Sequence, residues 1–257
     1  TDRRQRQMCI RDRNISFQQF FFKRARAYPE QAKERILNMV KEELPEDIVN
    51  KHFTPSYNPW DQRICLIPNS DFFESIKAKT SSVVTDHIEK FEEKGIRLKS
   101  GNFLPADLIV TATGLILESF GGVKMSVDNK PIEASDTYTY RSLMYSGIPN
   151  LVSCFGYINA SWTLKADLTS EYVCRLIKHM KKNDFEVVCP QFEVDIEESD
   201  DFLNGFSSGY IKRAADSQPK QGKEKPWINL QDYFKDWIDI KFKKLDDGYL
   251  NFSKLEK

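Results

Sequence analysis

Glycines separated by a single residue are missing from this sequence, and their absence limits what the chain can bind by itself. Eleven of the 257 residues are glycine, but no two of them are separated by a single residue. The chain therefore contains no G-x-G-x-x-G loop, in which backbone N–H groups at a helix start bind a pyrophosphate. We expect the chain alone to hold a dinucleotide weakly or not at all.

Cysteine and histidine are also scarce. The cysteines are odd in number and form no C-x-x-C pair, which disfavours a disulfide framework and a zinc site; they are Cys9, Cys65, Cys154, Cys174 and Cys189. The three histidines are far apart and lack the spacing of metal ligands. We predict that the chain binds no metal and that it is a reduced, cytoplasmic protein.

Neither a net charge nor a long apolar run is present. The 38 basic residues balance the 38 acidic ones, so the composition does not favour nucleic acid or an anionic membrane as a partner. No window approaches the roughly 18 apolar residues of a membrane-spanning helix, and nothing resembles a signal peptide. We expect one or two compact domains with no transmembrane segment, in an oligomeric state that the sequence leaves open.

The most informative stretch that is present covers residues 107–114, with the sequence DLIVTATG. Its uninterrupted apolar and β-branched residues predict a strand buried on both faces, which is typical of a parallel sheet. The strand would end at Thr113 and Gly114, where small residues let a ligand approach the backbone. A second apolar run, residues 151–155, predicts a neighbouring strand of the same sheet.

The remaining pattern mixes helices with short strands and predicts an α/β fold. Apolar residues at helical spacing predict an amphipathic helix over residues 163–181, a helix that starts at Pro29 and an aromatic-rich helix near the C-terminus. Between residues 83 and 104 the apolar period becomes two, with glycine-containing turns, which predicts a small β-meander. A hairpin is predicted around residues 128–130.

Six motifs together resemble the class B flavoprotein monooxygenases, the Baeyer–Villiger group, over roughly residues 30–250. The matching blocks are HFTP (52–55), YNPWDQR (57–63), VVTD (83–86), DLIVTATG (107–114), SGIPN (146–150) and NASWTLKADL (159–168). The resemblance implies the C-terminal part of a flavoprotein with two dinucleotide-binding domains, in which a parallel sheet with helices is joined to a β-meander. The fingerprints of the family's N-terminal half are absent from this chain.

The resemblance also implies a division of the chain into four parts. Residues 1–13 lie outside it and are expected to be a disordered or non-native extension. The other parts would be the end of an NADPH-binding and helical region (14–82), the C-terminal part of an FAD-binding domain that includes the meander (83–190), and a tail with a terminal helix (191–257).

The implied activity is that of an enzyme that uses FAD, NADPH and O2. Such an enzyme inserts one oxygen atom into a ketone or oxidises sulfur or nitrogen in a small molecule, and the chain alone would be inactive. Two alternatives remain: an amine N-hydroxylating flavin monooxygenase, and a non-catalytic binding or oligomerisation module. The His-x-x-x-Trp region of the family, which is missing from this chain, would discriminate the N-hydroxylating enzymes, because its residues differ between the two groups. Two G-x-G-x-x-G fingerprints in the upstream coding sequence would exclude the non-catalytic module.

Arg63 is the residue that the resemblance assigns to catalysis. A guanidinium stays charged at any working pH and offers a planar fork of donors to negative charge that develops during oxygen transfer. The alternative is an ordinary surface arginine paired with Asp61. Gln62 stands where many relatives have a lysine near the phosphate of the nicotinamide cofactor, so it is a weaker candidate for cofactor binding.

The other candidate residues fall into a cofactor group and a pocket group. Thr113 and Gly114 would pass close to FAD, while Asn159, Ala160 and Ser161 would present free N–H groups at a helix start to the flavin; a simple helix cap at Asn159 or Ser161 explains the same pattern. Residues expected to shape the substrate pocket are Tyr57, Trp60 and Trp162.

Overall fold

The computed structural model describes residues 2–65, 67–193, 196–199 and 207–255, without the side chains of residues 2–9. The chain divides into two compact units. We call Arg24–Leu115 the meander unit, and Thr1–Lys23 with Ile116–Lys257 the core unit. The division into an NADPH-binding region (14–82), an FAD-binding part (83–190) and a tail (191–257) is not tested by these two units and stays a prediction.

The meander unit contains short helices followed by a three-stranded antiparallel sheet in the order β1-β2-β3. Its elements are α2 (Pro29–Glu43), α3 (Glu46–His52), α4 (Asp71–Lys77), β1 (Ile88–Glu92), β2 (Gly95–Leu98) and β3 (Phe103–Pro105), and α1 (Asp2–Ala27) ends in this unit. The predicted meander and the helix that begins at Pro29 are confirmed. Gly95 is required between the strands, because a Cβ there would lie 2.0 Å from the carbonyl oxygen of Leu104.

The core unit combines three helices with small two-stranded antiparallel sheets. Its elements, besides most of α1, are β4 (Met125–Val127), β5 (Lys130–Ile132), β6 (Thr139–Tyr140), β7 (Met144–Tyr145), α5 (Trp162–Lys182), β8 (Val187–Pro190), β9 (Glu198–Ser199), α6 (Gly209–Ala214), β10 (Gln221–Gly222), α7 (Tyr233–Phe242) and β11 (Leu250–Ser253). The predicted hairpin around residues 128–130, the amphipathic helix α5 and the terminal helix α7 are confirmed.

Helix α5 packs against α7, and their apolar faces form the main core with the β6–β7 hairpin and the β8–β11 pair. Burying these side chains is the dominant stabilising contribution, because each large apolar side chain removed from water contributes about 1.5–3 kcal/mol. The fully or nearly fully buried members are Tyr140, Leu143, Met144, Leu168, Tyr172, Leu176, Val188, Trp227, Ile240 and Leu250.

A buried ion pair crosses the contact between α5 and α7. Lys165 Nζ lies 2.8 Å from Asp236 Oδ2, and each side chain is no more than 2% exposed. Lys225 Nζ approaches the other carboxylate oxygen at 2.7 Å, and Tyr157 donates a hydrogen bond to Asp236. Burial lowers the pKa of the Lys165 amine, although Asp236 opposes that shift. Burial alone would raise the pKa of Asp236, but the two lysines outweigh it and the pKa is lowered.

The predicted strands at residues 107–113 and 151–155 are not formed, which corrects the sequence analysis. All ladders between strands in the described residues are antiparallel, and the two segments fall in different units. The physical reason is that a strand needs neighbouring N–H and C=O groups to complete its ladder, and residues 107–113 have no such neighbour among the described residues. Leu108 and Val110 are accordingly 81% exposed instead of buried.

Other differences concern the chain ends and one stretch before the meander. Residues 2–13 are helical as part of α1, and residues 83–85 form no strand. The β8–β11 pair joins segments some 60 residues apart, a pairing that local sequence patterns do not reveal. An acid-rich loop predicted over residues 195–201 lies partly outside the described residues, and residues 198–199 in it form β9.

Three further observations concern absences in the described part of the chain. Within it, no helix is long and apolar enough to cross a membrane. No group of three or more potential metal-ligating side chains comes together there. Cys65, Cys154, Cys174 and Cys189 are free thiols.

The buried ion pair generates a stability prediction. We expect Asp236→Asn to lower the free energy of unfolding by about 3–5 kcal/mol, because Lys165 would remain as a buried charge without its carboxylate. The matched control is Lys241→Met on the same helix, whose pair with Glu171 is partly exposed; it should cost less than about 1 kcal/mol. Urea unfolding followed by circular dichroism measures both, and equal losses would contradict the role given to Asp236.

Candidate functional site

The N-terminus of α5 is open towards a ligand. Ser161 stands at the cap position, but its side chain bonds to Thr163 Oγ1 at 2.8 Å and does not cap the helix. The N–H groups of Trp162 and Thr163 have no partner among the described residues. No acidic residue lies in the first turn, so the positive end of this 21-residue helix is not neutralised locally.

Gln231 fixes the loop that leads into α5. Its Oε1 accepts the backbone N–H of Ile158 at 2.8 Å, and its carbonyl oxygen accepts Nδ2 of Asn159 at 2.8 Å. Asn159 is 1% exposed, and its Oδ1 has no partner among the described residues. The buried Asn159 side chain therefore stabilises the loop, and we expect the loop to contact a cofactor through its backbone and not through this side chain.

Trp162 lies at the surface beside this loop. Its ring is 50% exposed and packs against Phe155, with ring centroids 5.4 Å apart. A Cβ on Gly156 would stand 2.2 Å from Trp162 Cγ, so glycine is what allows the indole to lie over the backbone. A half-exposed tryptophan in contact with a glycine backbone is suited to line a pocket or to receive another part of the protein.

The second group of candidate residues lies in a tight turn of the meander unit. The N–H of Asp61 donates to the carbonyl oxygen of Asn58 at 3.1 Å, which closes a turn over Pro59 and Trp60. Trp60 has a φ of 70°, a left-handed conformation that bulky residues rarely adopt. Such strain concentrates at functional sites. Asp61 is held by Arg26, whose Nη1 lies 2.7 Å from its carboxylate.

Arg63 follows this turn and is exposed, without an ion pair to another described residue. Gln62 forms a bridge to Pro59 and is partly buried. Tyr57 is 42% exposed. The alternative for Arg63, an ion pair with Asp61, is not formed, because the Asp61 carboxylate pairs with Arg26; the catalytic role of Arg63 stays a prediction.

Thr113 and Gly114 lie in the exposed segment that follows the meander. Gly114 has a φ of 114°, which side-chain-bearing residues rarely adopt. Thr113 is exposed. Both are therefore accessible in the meander unit, and their predicted contact with a cofactor stays a prediction.

The structure brings the candidate residues together as two groups. Residues 159–162 meet at the start of α5 in the core unit, and residues 57–63 share one turn in the meander unit. The sequence analysis missed Gln231 and Asp236, which hold the first group from about 70 residues away. One signal was available: Lys165 falls on the same helix face as Leu168 and Tyr172, an apolar stripe where a lysine needs a buried partner.

FAD fits the open start of α5 in part. A flavin ring has an electron-rich edge, which unpartnered N–H groups at a helix N-terminus can bind. The diphosphate of FAD needs a glycine-rich loop at a helix start, and no such sequence exists in this chain. The chain thus offers contacts for the ring but not for the diphosphate.

Comparisons with known proteins show what the chain is similar to. No family model matches, and no solved structure matches. The chain is 45% identical over 244 residues to the probable FAD-binding monooxygenase AlmA of an Acinetobacter species, which is 95% of the chain and 49% of the relative. It is 45% identical over 241 residues to the FAD-containing monooxygenase EthA of Mycolicibacterium smegmatis, with 93% of the chain and 49% of the relative covered.

The chain is therefore similar over nearly its whole length to FAD-containing monooxygenases. EthA of Mycobacterium tuberculosis is similar to the same degree, 45% over 248 residues, and half of its length is covered. The chain spans about half the length of the curated relatives that it matches, and its motifs are those of their C-terminal half. The resemblance to flavoprotein monooxygenases that the motifs predicted is confirmed, while the Baeyer–Villiger group and the use of NADPH stay predictions.

The contact between Gly156 and Trp162 generates a test of the local geometry. We expect Gly156→Ala to displace the indole, because the added methyl group would overlap it, and to cost about 1–3 kcal/mol of stability. The summed emission of the four tryptophans should shift towards that of a more solvated indole, because only the surroundings of Trp162 change. Gly209→Ala is the control, because its Cβ would meet only the flexible end of Arg213 at 3.2 Å. An unchanged spectrum in Gly156→Ala would contradict the packing described.

Proposed function

We propose that this chain is part of an FAD- and NADPH-dependent monooxygenase. The reaction would insert one oxygen atom of O2 into a ketone, as in a Baeyer–Villiger oxidation, or oxidise sulfur or nitrogen in a small molecule. The observation that carries the proposal is the 45% identity to FAD-containing monooxygenases over nearly the whole chain. The open N-terminus of α5 supports it independently, because it offers N–H donors to an electron-rich ring.

The proposal includes a larger fold than the chain forms alone. Residues 107–113 would become a strand of a parallel sheet when the rest of the family fold supplies neighbouring strands. The exposure of Leu108 and Val110, 81% each, supports this proposal, because apolar residues in such a run are normally buried on both faces.

When bound, reduced flavin activates O2 and supplies the oxygen atom that is transferred. The residues of this chain would hold the ring and stabilise charge around it. N–H groups at residues 160–162 would donate to the ring edge, and the backbone at Thr113 and Gly114 would pass beside it. Trp162, Tyr57 and Trp60 would exclude water from the substrate.

Arg63 would supply the fixed positive charge. Negative charge develops as oxygen is transferred, and a guanidinium without a carboxylate partner can stabilise it more than one that is already neutralised. The exposed side chain of Arg63 supports this role, because it makes no competing ion pair with a described residue. Gln62 would lie near the NADPH phosphate but contribute a neutral hydrogen bond only.

Cofactor content tests the proposal. We expect the coding sequence upstream of this chain to contain two G-x-G-x-x-G fingerprints, and the longer protein to purify as a yellow complex that oxidises NADPH. The chain alone should show no flavin absorbance, because it lacks the loops that bind the diphosphate. Absorbance spectra and NADPH consumption measure this.

Two outcomes would contradict this prediction. A stoichiometric yellow complex of residues 1–257 alone would show that the diphosphate is bound without such loops. An upstream sequence without either fingerprint would favour a non-catalytic module.

A substitution of Arg63 in the longer protein tests the catalytic assignment. We expect Arg63→Ala to bind FAD and oxidise NADPH, while oxygenated product falls about a hundredfold to a thousandfold and hydrogen peroxide is released instead. Losing one preorganised charge at a developing anion costs about 3–4 kcal/mol. Product per NADPH consumed, measured by chromatography with a peroxide assay, is the readout.

Two comparisons make the test of Arg63 specific. Arg63→Lys should recover only part of the activity, because an ammonium cannot reproduce the planar fork. Arg35→Ala, on the exposed face of α2 in the same unit, should retain normal coupling. If Arg63→Ala also keeps normal coupling and turnover, Arg63 is an ordinary surface residue.

A further inference from the structure

A small cavity in the core unit is lined by amides, hydroxyls and aromatic rings. Its volume is about 60 Å³, several times the roughly 10–15 Å³ that one water-sized probe occupies. The lining comes from the β6–β7 hairpin, Phe155 and the segment from Gln218 to Asn229. No charged side chain is among the described residues that line it, so the cavity suits an uncharged group.

The turn that contributes Ser142 to this cavity is strained. Arg141 and Ser142 have φ values of 51° and 58°, and the Leu143 N–H donates to Tyr140 O at 3.0 Å. A turn with two left-handed central residues favours asparagine and glycine, neither of which is present. The Arg141 side chain is locked by Asp239 and Asp247, at 2.7 and 2.9 Å.

A buried hydroxyl in this turn lacks a partner. Ser142 is 5% exposed, and its Oγ makes no hydrogen bond to the described residues. Leaving a buried polar group unsatisfied is unfavourable, so such groups in folded proteins are usually paired with protein, water or ligand. The strained turn therefore places in the cavity wall a hydroxyl that can still donate and accept.

Asn229 adds a directed donor. Its Oδ1 accepts two hydrogen bonds from Gln231, from the backbone N at 3.3 Å and from Nε2 at 3.1 Å. These bonds fix the orientation of the amide, since only the oxygen can accept. Nδ2 is left without a partner among the described residues. Asn229 is 8% exposed, so this donor belongs to the cavity wall and not to the open surface.

Gln218 adds the complementary acceptor. Its Nε2 donates to Leu117 O at 3.4 Å and to Ser217 Oγ at 3.5 Å, which leaves Oε1 without a partner in the described part of the chain. Gln218 is 9% exposed. An amide donor and an amide acceptor in one wall match a group that itself accepts through C=O and donates through N–H.

We propose that this cavity binds a small uncharged carboxamide, or the carboxamide end of a larger molecule. Its carbonyl oxygen would accept from Asn229 Nδ2, its N–H would donate to Gln218 Oε1, and Ser142 Oγ would supply the third hydrogen bond. The rings of Tyr145 and Phe155 would contact the adjoining carbon atoms. The site does not depend on flavin binding.

The position of the cavity connects it to the candidate site. Asn229 would hold the ligand through Nδ2 while its Oδ1 holds Gln231, and Gln231 holds the loop that leads into α5. Phe155 contacts the cavity on one side and Trp162 on the other. Occupancy of the cavity would therefore stabilise the loop from which α5 begins.

Three ligands of equal size but different hydrogen-bonding capacity test the proposal. Acetamide, acetate and acetone are titrated into the purified chain, and binding is followed by saturation-transfer NMR and by backbone amide shifts. We expect acetamide to bind with shifts at residues 142, 218 and 229. Acetate and acetone, which lack the N–H donor, should bind about fivefold more weakly or not at all.

Two substitutions locate the site, with a matched control. Asn229→Asp keeps the oxygen that accepts from Gln231 but removes the donor, and should weaken acetamide binding about fivefold or more. Ser142→Gly removes the hydroxyl, suits the positive φ, and should weaken binding while the fold is retained. Asn129→Asp is the matched control, because it makes the same change as Asn229→Asp at an exposed turn position with a φ of 63°. It should leave the affinity for acetamide unchanged.

The outcomes separate clearly. Selective binding of acetamide that is weaker in both cavity variants supports the proposal. If Asn229→Asp changes backbone amide shifts throughout the chain, its fold is altered, and the affinity of Ser142→Gly for acetamide is then the test. Three outcomes overturn it: no saturable acetamide binding, equal binding of the three ligands, or equal affinity in Ser142→Gly and Asn129→Asp. A crystal soaked with acetamide that holds only water in the cavity overturns it as well.

Discussion

The contact between Lys165 and Asp236 is the interaction on which the core unit depends. It joins α5 to α7 at a depth where each side chain is at most 2% exposed. An ion pair in that position does not maximise stability, because desolvation offsets much of the attraction. The ion pair fixes the position of α5 along α7. Lys165 lies three residues after the start of α5, so its contact with Asp236 determines where the N-terminus of α5 lies relative to α7.

The loop in front of α5 is held in the same way, from inside. Gln231 binds the backbone at Ile158 and the side chain of Asn159, so the polar groups of this loop are used for structure while the first N–H groups of the helix are left open. Preorganised donors of this kind need no rearrangement when a ligand binds. The relatives that the chain matches are named as FAD-binding or FAD-containing proteins, and unpartnered N–H groups at a helix start suit the electron-rich edge of a flavin.

The meander unit carries a different constraint, an apolar segment without a neighbouring strand. Residues 107–113 have the composition of a buried strand but form no strand and are exposed, because the hydrogen-bonding partners of a strand cannot come from its own residues. The chain spans about half the length of the relatives that it matches, and a place for this segment in a larger sheet is part of the proposal made above. An apolar, β-branched segment forms a strand only where neighbouring strands supply its hydrogen-bonding partners.

The sequence by itself determined α2, α5, α7, the meander, the hairpin and the similarity to flavoprotein monooxygenases. Those features depend on local spacing: α5 has a stripe of apolar residues at helical intervals, and the meander has glycine where a Cβ would meet a carbonyl oxygen. Only the tertiary structure decided which distant residues support the candidate site, such as Gln231 beneath the α5 loop, and showed that the Asp61 carboxylate is occupied by Arg26. These contacts join residues tens of positions apart, and their geometry depends on how the elements pack, which no local pattern encodes.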